Sequence, residues 1–294
     1  MKIYDKLKNA LILFIKGAVM GVANLIPGIS GGTIALVLGI YEKFIHALGH
    51  FFSDFKNNLK FLLPLGLGLL FCFLTLSRLI EFSFANYPLA VSLFFVGLVL
   101  GGIPMILKKL KHSRDHKSNA PGITAMILAF ILVIALALID RFSGSADIVI
   151  REFSPLNIVM LFVIGAIGAG TMVIPGISGA LILMLLGWYD TLIGTLSELG
   201  QFKNAGRNLV IALVFGIGVI VGLVLISKYI EYLFKKHEKA AYFGILGFIA
   251  ASAAAIPIVA IKSFRFFSFL ETGIGAVLLV VGFFVSYFLS LNGD

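Results

Sequence analysis

The chain has 294 residues, of which 60% are hydrophobic and 13% charged, with a mean hydropathy of +1.08. Soluble domains run at roughly 45–50% apolar and about 25% charged, so a water-soluble enzyme or nucleic-acid binder is excluded and an integral membrane protein fits. The formal charge of +9 belongs to loops and lipid headgroups rather than to nucleic acid, and a single cysteine, Cys72, excludes an intrachain disulfide.

Cys72 sits in an apolar run and reads as an inert side chain at lipid depth. His46/His50 and His112/His116 have helical i,i+4 spacing, but in polar, Lys-flanked segments, so they read as solvated rather than as metal ligands. No metal or cofactor is expected.

In chain order, Lys2, Lys6 and Lys8 precede an apolar run in the manner of a signal peptide. No small-residue cleavage site follows and the run continues into further membrane segments, so it is expected to stay in the mature protein. The apolar region 11–41 is broken by Pro27-Gly28-Ile29-Ser30-Gly31-Gly32, since proline removes a helix donor and glycine loosens the backbone. Thr33 to Tyr41 then spans about 13 Å at 1.5 Å per residue, roughly half the hydrocarbon thickness. That suits the short arm of a re-entrant hairpin.

Spans of membrane-crossing length follow at 61–80, 87–107 and 122–140, with the polar segment 108–121 as a linker. A second broken region, 156–189, contains Pro175-Gly176-Ile177-Ser178-Gly179. Its first arm, 156–174, is long enough to cross by itself. Trp188 and Tyr189 read as an interfacial anchor. Spans at 209–227, 240–261 and 272–290 complete the chain, and the small residues of 97–102 and 247–255 suit close helix packing.

The two broken regions are copies. Pro27-Gly28-Ile29-Ser30-Gly31 recurs 148 residues later as Pro175-Gly176-Ile177-Ser178-Gly179, and Gly39, Tyr41 and Glu42 recur as Gly187, Tyr189 and Asp190. Ser77-Arg78-Leu79-Ile80-Glu81 matches Ser227-Lys228-Tyr229-Ile230-Glu231. Collinear matches of this kind mark a duplication. If each broken region is a hairpin, each copy crosses three times and the copies are inverted. With the N-terminus inside, sixteen of the 23 Lys and Arg then face the cytoplasm and seven face outward, as the positive-inside rule requires. A single crossing at each break would instead expose the Lys-rich 108–117 loop. The expected fold is an all-α polytopic membrane protein of two inverted repeats, each a re-entrant helical hairpin plus three transmembrane helices. Residues 1–120 form the first repeat up to the linker, its third span being 121–141, and residues 142–294 form the second, within one membrane domain.

The short arms begin near Ser30-Gly31-Gly32-Thr33 and Ser178-Gly179. A helix start offers unpaired N–H groups and partial positive charge, glycine admits close approach, and hydroxyls add donors, so two such starts could cradle an anion. Equally, Pro-Gly-Ser-Gly could cap a hairpin packed through small residues; the near-identical second copy favours the anion site. Asn24 and Thr171 are minor candidates for the polar lining. Arg78 and Lys228 are matched cations, each with a glutamate at i+3 (Glu81, Glu231) on the same helix side and able to pair with it. They read either as snorkelling ion pairs or as cations that meet an anionic headgroup. Glu42 and Asp190 are matched acids, read as ion carriers or as interfacial salt-bridge partners.

Asn24 through Thr33, Gly39-Ile40-Tyr41-Glu42, Val173 through Gly176 and Gly187 through Asp190 together resemble the bacterial PopT-type undecaprenyl phosphate translocase family, formerly a domain of unknown function. The likeness covers nearly the whole chain. The second copy departs at Ala180, where the first has Gly32, and at Leu181 for Thr33. The resemblance implies a transporter in the bacterial cell membrane with both termini cytoplasmic. It would return undecaprenyl phosphate, or a related polyprenyl phosphate, from outer to inner leaflet for cell-wall synthesis. The headgroup would be held at Asn24, Pro27, Gly28, Ser30, Gly31, Gly32, Thr33, Pro175, Gly176, Ser178 and Gly179, with Arg78 and Lys228. Glu42, Glu81, Asp190 and Glu231 would be the ion-coupling candidates. A homo-oligomer is compatible with this reading. The rivals are a membrane-embedded lipid (pyro)phosphatase and a small-anion secondary transporter. Against the phosphatase, Ser30 has no nearby His or acidic pair in sequence. No P-loop is present.

Overall fold

The computed structural model describes residues 2–24, 30–113, 119–142, 154–201, 204–260 and 269–291. Pro27 and Gly28 lie outside them. The described residues form helices and contain no strand. In chain order the helices are α1 (Lys2–Asn24), α2 (Gly31–Val37), α3 (Tyr41–Gly49), α4 (Phe55–Asn86), α5 (Pro88–Gly101), α6 (Ile103–His112) and α7 (Ala120–Phe142). Then come α8 (Pro155–Val173), α9 (Gly179–Leu185), α10 (Tyr189–Gly200), α11 (Ala205–Lys236), α12 (Glu238–Ala260) and α13 (Phe269–Leu291). Among the described residues, eight segments are long and apolar enough to cross a membrane: α1, α4, α5 with α6, α7, α8, α11, α12 and α13. The chain is a multi-pass membrane protein. Six of these are the expected spans, and α1 and α8 are the first arms of the broken regions.

Both broken regions fold back on themselves. Gly31 N donates to Asn24 Oδ1 (2.8 Å), and Lys16 Nζ donates to the Leu38 carbonyl (2.9 Å), so α2 runs antiparallel along α1. In the second copy Gly179 lies against Met172 and Gly168, and Leu183 against Gly168, which places α9 back along α8. Each short arm ends at a matched glycine of positive φ, Gly39 (70°) and Gly187 (74°). There the paired bonds Gly39 N to Leu36 O with Ile40 N to Ala35 O, and Gly187 N to Met184 O with Trp188 N to Leu183 O, form Schellman caps. An L side chain at either glycine would meet the steric cost of the left-handed region.

Four close helix pairs build the body. Gly17 faces the Leu65 backbone and Gly21 faces Cys72, so α1 and α4 run parallel; Gly165 against Phe215 and Gly170 against Ile226 do the same for α8 and α11. The other two pairs cross between the halves. Gly97 meets Leu279 and Gly101 meets Phe283, setting α5 parallel to α13. Gly122 meets Phe243 and Gly247 meets Met126, setting α7 parallel to α12. Glycine at these contacts lets backbones approach where lipid supplies no hydrophobic drive between helices.

One local expectation is corrected. Trp188 is 2% exposed and packs with Leu161, Ile164, Leu183, Leu192 and Ile211, because the Gly187 turn directs it into the α8–α9–α11 core rather than to an interface. Cys72, on the membrane-spanning part of α4, is buried against Gly21 of α1.

A methyl at Gly17 would strike the Leu65 carbonyl, whereas one at Gly66 meets nothing within 4 Å. Gly17→Ala is expected to lower the melting temperature in detergent, at an overpacking cost of about 1–3 kcal/mol. Gly66→Ala is expected to leave it unchanged or raise it slightly, by helix propensity alone.

Candidate functional site

The two breaks touch. Ser30 precedes α2 as its N-cap; its Oγ accepts from Gly32 N (3.1 Å) and donates to the second break, at Met172 O (3.1 Å) or Ile174 O (3.2 Å). One turn on, Thr33 Oγ1 accepts from Gly176 N (2.7 Å), and Tyr41 OH donates to Val173 O (3.1 Å). Ser30 and Thr33 are essentially fully buried. Gly32 allows this approach, since a Cβ there would stand 2.5 Å from the Val173 carbonyl. Gly176 has φ +82° and lies against Ser252 and Phe248 of α12. Side chains of the first broken region therefore satisfy backbone groups of the second, as apolar surroundings demand.

The remaining candidates spread outward from this contact. Asn24 is exposed and caps the start of α2 across the break. Ser178 is half-buried before α9. Thr171 hydrogen-bonds within its own helix, to Gly168 O (2.8 Å). Glu42 stands in the first turn of α3 and accepts from Lys109 (2.6 Å) and Tyr242 (2.8 Å), tying α3 to α6 and α12. Asp190 is exposed in the first turn of α10. Arg78 and Glu81 stand on α4, with their side chains outside the described set.

Lys228 and Glu231 of α11 meet α3. The Lys228 stem lies against Gly49, and Glu231 is approached by His46 Nδ1 (3.1 Å), His50 Nδ1 (3.2 Å) and Lys235 Nζ (2.8 Å). The expected Lys228–Glu231 pair does not form. Glu231 pairs instead with the lysine at i+4, the favoured order along a helix, and the intruding α3 fills its other side. His46 and His50 keep solvent access, as expected, with side chains 53% and 35% exposed, but their rings also stack at 4.6 Å and face one carboxylate.

A cavity of ≈ 390 Å³ lies between α7, α11 and α12. Its walls are apolar, with Leu128, Leu132, Leu233 and Phe248 among them, and it reaches Tyr41, Ile174 and Pro175 at the second break. A separate cavity of ≈ 410 Å³ beside α3 and α4 has polar walls at Lys43, His46, Asp54, Asn57, Asn58 and Lys60 and apolar ones at Leu13, Ala47 and Phe61.

Residues 20–265 match the family model described as undecaprenyl phosphate translocase-like. The chain belongs to this family. A protein of Staphylococcus aureus named polyprenyl-phosphate transporter is 32% identical over 282 residues, covering 94% of each chain. One of Vibrio cholerae serotype O1 with the same name is 26% identical over 251 residues, covering 79% of this chain and 73% of its own. No solved structure matches.

For this translocase-like chain, sequence reasoning missed two groups at the hairpin. Lys16 counted only as a cytoplasmic charge, yet it is buried and caps the C-terminal carbonyls of α2; a lysine inside an apolar run was the available signal. Tyr41 was visible as a repeat match, but nothing in its spacing announced the Val173 carbonyl as its partner.

Thr33→Val leaves the Gly176 amide buried without its acceptor and is expected to cost about 1–3 kcal/mol, read as a lowered melting temperature; Thr33→Ser should retain most of it. At Glu42, burial raises the carboxyl pKa, but the Lys109 and Tyr242 hydrogen bonds and the Lys109 charge outweigh it and hold the group below its usual value. A carboxyl lowered on folding stabilises above its unfolded pKa and loses that contribution as pH falls through the folded one. Melting curves of the wild type and Glu42→Gln should therefore differ at neutral pH and converge in acid.

Proposed function

We propose that this protein carries a polyprenyl phosphate, such as undecaprenyl phosphate, from the outer to the inner leaflet of the bacterial cell membrane, returning the lipid carrier of cell-wall polymer synthesis. The observation that carries the reading is the meeting of the two breaks at the end of an apolar groove. The phosphate is held at the break, where Ser30, Thr33, Ser178 and the first amides of the short arms supply donors, and the prenyl chain lies in the groove. An unpaired charge in hydrocarbon costs many kcal/mol, so a transporter of this lipid must supply such donors along the whole path. The names of the two relatives support the substrate class.

The halves are read as inverted. α7 follows α5–α6 after a short connection and so runs opposite to α5, while α13, the repeat counterpart of α7, is parallel to α5. This supports opposite orientation of the copies, and with it two alternating openings of one fold. The packing is unequal at the two ends. α3 packs on α11, whereas the corresponding pair α10 and α4 makes no comparable contact among the described residues. On the positive-inside assignment the α3 end is cytoplasmic, and the groove walls at Leu233, His237 and Ala241 lie on that same side. The headgroup takes over the donors now bonded across the break. Transport is favoured over hydrolysis because the Ser30 hydroxyl is bonded to backbone groups, with no imidazole or carboxylate against it among the described residues.

In proteoliposomes, translocation of a fluorescent polyprenyl phosphate is expected to fall by about tenfold or more in Ser30→Ala/Ser178→Ala and in Arg78→Ala. That is the scale of losing one hydrogen bond to a charged group, about 1.5–3 kcal/mol. Wild-type rates in both variants contradict the site. Release of inorganic phosphate from the pyrophosphate lipid by the purified protein would favour the phosphatase instead.

A further inference from the structure

The His46–His50–Glu231 cluster has the geometry of a metal site. His46 and His50 stand one turn apart on α3, so their rings lie on one face, stacked at 4.6 Å with planes 23° apart. Both Nδ1 atoms address the same carboxylate from the neighbouring helix: His46 Nδ1 is 3.1 Å from Glu231 Oε1 and His50 Nδ1 is 3.2 Å from Oε2. The donor atoms all lie within 4.8 Å of one another. Around a tetrahedral zinc ion with bonds near 2.0–2.1 Å, ligand atoms stand roughly 3.3 Å apart.

Two further features point to a ligand. His50 Nδ1 is buried and makes no hydrogen bond of good geometry despite its closeness to Oε2, leaving a nitrogen aimed at the cluster without a satisfied partner. His46 lines the cavity beside α3 and α4 and its side chain is 53% exposed, which gives an aqueous entry path. Lys235 is the competing cation on Glu231; its side chain is 73% exposed and free to leave for solvent.

We infer that His46, His50 and Glu231 form a binding site for a divalent transition metal such as zinc, with two imidazoles, one carboxylate and an open position for water. Two histidines and a glutamate are an established zinc donor set with a free fourth position. The histidines come from α3 and the glutamate from α11, so a bound ion staples the two helices together. The site rests on this geometry alone. Its consequence for transport, that the ion restrains any movement of α3 against α11, rests on the transport reading above.

The test uses the full chain in detergent or nanodiscs without lipid substrate, so its failure leaves the transport reading untouched. Zinc titrated against a competing chromogenic chelator is expected to bind at one ion per chain and to raise the melting temperature by mass action. His46→Ala, His50→Ala and Glu231→Gln should each weaken binding by at least about tenfold, since even indirect supports of a metal site are worth that much. His112→Ala and His237→Ala should bind as the wild type does. Melting temperatures of the three site variants without metal identify any that fail to fold, and the conclusion is drawn from those that match the wild type. Absence of binding at micromolar zinc, or equal binding in the folded site variants, overturns the proposal.

Discussion

A helix broken among apolar side chains strands backbone N–H and C=O groups where little water reaches them, and each unsatisfied group costs energy on the scale of a lost hydrogen bond. This protein has two such breaks and sets them against each other. The hydroxyls of Ser30, Thr33 and Tyr41, all from the first broken region, serve the backbone at Met172 to Gly176 in the second. The copies share five residues at their cores, but the second has Leu181 where the first has Thr33, so the hydroxyl that accepts from Gly176 N has no counterpart in the second copy's sequence.

The rest of the molecule keeps that contact in place. Schellman caps at Gly39 and Gly187 stop the short arms after seven residues each. Lys16 crosses from α1 to the end of α2, and Glu42 fastens α3 to α6 and α12. The glycine-lined parallel pairs supply rigid walls, and the exchange of α7 and α13 between the halves makes the two copies one body. The α3–α11 contact stands apart from this scheme. It joins the halves through charged and imidazole groups together with Gly49, which lies against the Lys228 backbone and stem.

Much of the architecture was legible because membrane spans and broken helices have strong signatures in sequence. The apolar runs, the Pro-Gly interruptions and the 148-residue repeat gave the helices and the hairpins. The repeat matched Gly39 with Gly187, but the turns that their positive φ makes were not marked by it, and the first short arm read through to Tyr41. Contacts between segments far apart in the chain were not legible. Tyr41 meets Val173 and His46 meets Glu231 across more than a hundred residues, and no periodicity reports such a meeting. Trp188 was misread for a related reason: the turn at Gly187 decides whether it faces a membrane interface or the core.

The central claim is that a phosphate headgroup passes between the two breaks. A polyprenyl phosphate carrying a photoreactive group beside the phosphate, cross-linked to the wild-type protein in nanodiscs and mapped by mass spectrometry, examines it most directly. The account predicts adducts on peptides spanning residues 24–33 and 172–179, competed away by unlabelled lipid. Competable adducts confined to the helix-connecting loops or to the outer faces of α4 and α13 would contradict it.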